Sequence, residues 1–76
     1  MNNKKRKKLS RAINLLKQAY DIVDGVVDEE SDDMDNMPEN LQTSERYDKM
    51  ESAIDKLEEA LEQIEAAQDT ITEASA

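Results

Sequence analysis

The chain has 76 residues, with 10 basic and 19 acidic ones for a formal charge of -9, one Gly, one Pro, and no Cys, His, Trp or Phe. The length fits one domain with a small core, while the missing Cys and His remove disulfides, thiolate metal sites and the commonest general base. So little Gly and Pro gives too little turn chemistry for a multi-stranded sheet, and no apolar run approaches the ~18 residues of a membrane span.

The N-terminal segment is basic. Residues 1–20 hold Lys4, Lys5, Arg6, Lys7, Lys8, Arg11 and Lys17 and no acid, a charge of +7; residues 21–76 hold three bases and 19 acids, a charge of -16. A basic start can open a signal peptide, but Arg11, Lys17 and Asp21 interrupt the apolar stretch and no small-residue cleavage site follows. The expectation is a cytoplasmic protein. A run such as Lys4–Lys8 ahead of an apolar helical face also suits nucleic acid or an anionic membrane. Against both, the negative net charge repels polyanions and no aromatic residue interleaves with the arm to stack on bases.

Helical periodicity dominates the rest. Leu9, Ile13, Leu16, Tyr20, Val23 and Val27 are spaced 4, 3, 4, 3, 4, predicting a first helix over 5–30. Tyr47, Met50, Ile54, Leu57, Leu61 and Ile64 are spaced 3, 4, 3, 4, 3, with Ile71 resuming the stripe past Gln68, predicting a second helix over 44–74. Ile13, Tyr20, Val27, Ile54 and Leu61 take position a. Each is preceded by a small or modest residue (Ala12, Ala19, Val26, Ala53, Ala60), with Ala67 continuing the second series, which lets antiparallel backbones approach.

The connector, 31–43, is expected to begin where acids at 28, 29, 30, 32, 33 and 35 repel one another and Pro38 forbids helix, so that the first helix ends near Glu30. Residues 38–42 suit a short helical turn, with Pro in its permitted first position and Leu41 over the core. Ser44 or Thr43 can cap the second helix, whose dipole Glu45 then favours. As a metal loop the segment fails, for it lacks the Gly and Glu placement of an EF-hand. No cofactor is expected.

The fold class that results is all-α, an antiparallel two-helix hairpin filling a single domain, 1–76. If Val27 faces Tyr47, facing residue numbers total about 74, which sets the basic arm beside the acidic 63–70 stretch and Lys17 beside Glu58. Leu15 and Ile22 then point away from the seam. So small a core is marginal alone, and both facts favour self-association through Leu15 and Ile22, most simply as a four-helix bundle.

One pattern carries a candidate function. Asp48, Glu51, Asp55, Glu58, Glu62, Glu65 and Asp69, spaced 3, 4, 3, 4, 3, 4, form one acidic line along the second helix. Neighbours at that spacing sit about 5–6 Å apart, near the spacing of phosphates along a nucleic-acid strand. The line is a candidate surface for a protein with a basic groove, or a solvated face partly neutralised by the basic arm. Nucleophilic catalysis is not expected, since no Ser has a partner base.

The stretch from Asp35 through Met37-Pro38-Glu39-Asn40-Leu41-Gln42 to Tyr47, followed by Ala53-Ile54-Asp55-Lys56-Leu57-Glu58-Glu59-Ala60, resembles small acidic helical proteins of phages and prophages of Gram-positive bacteria. The shared order is basic N-terminus, helix, acidic connector, Pro-Glu-Asn-Leu-Gln turn and acidic helix. The resemblance implies a phage or mobile-element origin and brings no catalytic residues with it. The resulting expectation is a non-enzymatic protein-binding module, such as an inhibitor that occupies the basic groove of a host nucleic-acid-binding or defence protein. The alternative is a self-associating scaffold.

Overall fold

Two long helices lie antiparallel. In the computed structural model, which describes residues 1–76, α1 spans Asn3–Asp35 and α2 spans Glu45–Ser75, and no strand is present. The connector holds one 3₁₀ turn, Glu39–Leu41. The result is a rod of 59 × 14 × 12 Å with a radius of gyration of 17.4 Å, against about 11 Å for a rounded chain of this length.

Each helix start is capped by a side chain. Asn2 Oδ1 accepts the Lys5 backbone N–H at 2.9 Å, starting α1 two residues before the expected position. Ser44 Oγ accepts the Tyr47 backbone N–H at 3.2 Å and starts α2, leaving Thr43 outside. These bonds satisfy amides that have no partner within the helix. The 3₁₀ turn is shorter than the expected 38–42, with Pro38 (φ -55°) capping it from outside rather than filling its first position, and Leu41 is exposed rather than laid over the core.

The acidic run does not end α1. The helix continues five residues past Glu30 to Asp35, because Met34 extends the Ile13, Tyr20, Val27 series by one more step of seven and is buried. Two opposing energies decide this. The i,i+4 repulsions Asp28–Asp32 and Glu29–Asp33 cost about 0.2–0.5 kcal/mol each, whereas burying a methionine side chain contributes about 1.5–3 kcal/mol. Burial wins. Termination falls to Pro38, which restricts Met37 ahead of it and has no N–H to continue the ladder, and the Asn36 N–H closes the last turn on the Asp32 carbonyl at 3.0 Å.

A longer α1 shifts the register by one heptad. Arg6 Nε donates to the Ser75 carbonyl at 3.0 Å, so residue n lies roughly level with residue 81 − n. Lys17, Tyr20 and Asp21 share one groove with Glu65 and Gln68, so facing numbers total well above the expected 74. Val27, Met34 and Leu61 are the buried residues, at 7–8% exposed. Leu16 and Leu57, expected in the core, are half-buried, as are most seam residues. Among the small flanking residues, Val26 and Ala53 lie exposed.

Candidate functional site

The shifted register redistributes the charge along the rod. The open end, residues 1–11 with 70–76, holds six bases and one acid, a net of +5. At the loop end, residues 28–51 hold ten acids and two bases, a net of -8, and the middle carries the remaining -6. The basic arm therefore lies beside Thr70–Ala76 and not beside 63–70. Lys17 shares a shallow groove with Glu65 and Gln68 instead of meeting Glu58. No ion pair joins the two helices; the pairs formed, Lys49–Glu45 at 3.3 Å and Lys56–Glu59 at 3.5 Å, are both within α2 and exposed.

Helix dipoles explain how such an arrangement is tolerated. Both ends of α1 carry the sign its own dipole disfavours: cations with no acid in the first turn, acids with no base in the last. In an antiparallel hairpin each end sits beside the opposite end of α2, where the same charge is favourable by about 0.3–1 kcal/mol. The Arg6 guanidinium makes this concrete by donating to Ser75, whose carbonyl belongs to the last turn of α2. Compensation for the arm comes from a helix end rather than from carboxylates.

That leaves the acidic line of α2 without an ion pair, Lys17 being the one cation of α1 that shares a groove with it. Asp48, Glu51, Asp55, Glu58, Glu62, Glu65 and Asp69 are all exposed, and none takes part in an ion pair. They follow one side of α2 for about 32 Å at 1.5 Å per residue, one carboxylate every ~5 Å. Asp48, Glu51 and Asp55 line a shallow depression with Ser52. Each carboxylate stands in water, which suits a surface for ionic contact. The connector acids Asp28–Asp35 are helical, so their carboxylates radiate around α1 and do not converge as loop ligands would. Nowhere do three or more acidic side chains come together in a metal-holding group.

A second exposed feature lies on α1. Leu15 is 56% and Ile22 69% exposed, with Val26 beside them also open to solvent. Sequence periodicity singled out the first two; Val26 was placed at the seam, and only the geometry shows that it turns outward. No helix is long and apolar enough to cross a membrane. Neither a family model, nor a curated protein, nor a solved structure matches the chain.

Proposed function

We propose that this protein is a non-enzymatic protein-binding module whose working surface is the acidic line of α2, presented to the basic groove of a partner. The observation that carries this reading is that all seven acidic residues from Asp48 to Asp69 are exposed and none is in an ion pair. The basic arm, expected as the internal neutraliser, is held beside the last turn of α2, past the C-terminal end of the line. A rigid anionic edge about 32 Å long matches the scale on which a groove-shaped nucleic-acid-binding site grips a phosphate backbone. The partner that fits is a host nucleic-acid-binding or defence protein, with this chain acting as a phage-encoded inhibitor in the host cytoplasm. Absence of His and Cys from the sequence supports a binding role over a chemical one.

The alternative, a self-associating scaffold, draws support from exposed Leu15 and Ile22. The two readings separate in a capture experiment from nuclease-treated bacterial lysate. Wild-type protein should retain a basic nucleic-acid-binding protein that a short DNA duplex displaces. The Glu58→Gln/Glu62→Gln/Glu65→Gln variant, which keeps helix propensity and side-chain volume, should lose it. Retention of that protein equally by both forms would remove the acidic line as the contact surface.

A further inference from the structure

We infer that the outer face of α1 is the seam of an antiparallel, two-fold homodimer, each hairpin laying its basic end along the acidic end of its partner. At about 100° per residue, Leu15, Ile22 and Val26 fall within about 40° of one another, on a face that α2 does not cover. The same line continues in both directions at helical spacing. Towards the N-terminus it runs through Arg11, Lys8 and Lys4; towards the C-terminus it runs through Glu29 and Asp33. All of these are exposed and none is in an ion pair. The face is thus basic, then apolar, then acidic.

Such a stripe complements itself only when reversed. A parallel copy would set Lys4 on Lys4 and Asp33 on Asp33. Turned end for end about an axis between Gln18 and Ala19, a second copy brings Leu15 level with the partner's Ile22, Lys8 with the partner's Glu29, and Lys4 with the partner's Asp33. The contacts are isologous, as a closed two-fold interface requires. Arg6 is not needed in this seam, since it is turned inward onto Ser75.

Surface area agrees. The chain exposes 5859 Å², whereas a compact 8.6 kDa monomer exposes about 4,700 Å². The excess of roughly 1,200 Å² accommodates the ~800 Å² per partner of a standard interface. The seam also leaves the acidic line of α2 free. Lys17, which shares a groove with Glu65, points about 200° away from Leu15 around α1, so that line faces the other side of the hairpin. The dimer therefore stands or falls independently of the proposed function.

The test is sedimentation velocity from low to high micromolar concentration at low salt, with helicity followed by circular dichroism. Wild type should be a dimer that weakens as salt rises. Lys4→Glu/Lys8→Glu and Glu29→Lys/Asp33→Lys should each weaken it at least about tenfold, since four cross-copy pairs turn repulsive. Both variants place at the ends of α1 the sign its own dipole favours and the adjacent end of α2 disfavours, so circular dichroism must show the hairpin still folded for the comparison to count. Combining the four substitutions in one chain should restore the dimer, and an equimolar mixture of the two double variants should form mixed dimers. A wild type that stays monomeric throughout, a dimer indifferent to both reversals, or a fourfold variant that remains monomeric would each overturn the seam.

Discussion

Truncation of Met34 separates the observed register from the one the connector's charge suggests. Met34 is 8% exposed at the last turn of α1. Its replacement by Ala removes three heavy atoms from the core, about 2 kcal/mol of transfer free energy, and adds a cavity term. The site lies near the end of the rod where neighbours can collapse, so the lower part of the 2–5 kcal/mol range for such truncations applies, about 2–3 kcal/mol. For a domain of this size each kcal/mol shifts Tm by about 4–8 °C, giving a fall of about 8–24 °C. Thermal and urea unfolding followed by circular dichroism, at fixed protein concentration, measures it. Met34→Leu should lose less than about 1.5 kcal/mol, because volume is conserved. Were α1 to end at Glu30, Met34 would sit in a loop, and its truncation would change stability by no more than about 0.5 kcal/mol. A loss that small would refute the heptad-shifted packing.

Other substitutions report on single features of the hairpin. Gly25 lies inside α1 and a Cβ there meets nothing within 4 Å; Gly25→Ala should stabilise by about 0.5–1 kcal/mol, seen as a raised Tm. Ser44→Ala removes the acceptor of the Tyr47 amide and should cost about 0.5–2 kcal/mol, with faster hydrogen exchange in the first turn of α2. Leu61 is buried while Leu57 is half-buried, so Leu61→Ala should cost more than Leu57→Ala in the same urea titration. Equal losses at the two positions would contradict the deeper burial of Leu61.

The hairpin was legible because spacing alone defines an apolar stripe, and two such stripes joined by a short connector can cover each other by folding back antiparallel. The end of α1 was not, although its signal was present. Met34 stands seven residues beyond Val27, in phase with the core series, but the surrounding acids read as a helix-ending charge run. Single like-charge pairs are weak beside one buried side chain, and weighing them correctly yields the extra turn. From that one misjudged boundary followed the heptad shift, the misplaced Lys17–Glu58 pairing and the docking of the basic arm on 63–70. The arm's actual compensation, a helix end reached by Arg6, depends on backbone geometry that residue types do not spell out. Leu15, Ile22 and the acidic line, by contrast, needed only helical phase to be placed on the surface, and the shift in register leaves their phase unchanged.

The most direct test of the acidic line as a binding surface is the salt dependence of affinity for the captured basic partner, measured in parallel for wild type and the Glu58→Gln/Glu62→Gln/Glu65→Gln variant. Wild-type binding should weaken steeply as salt rises, because ionic contacts across an exposed face are screened over about 10 Å at 0.1 M. The variant should bind at least about tenfold more weakly at low salt, the equivalent of ~1.4 kcal/mol, and show a shallower salt slope. Equal affinities and parallel slopes for the two proteins would contradict a function carried by this edge of α2.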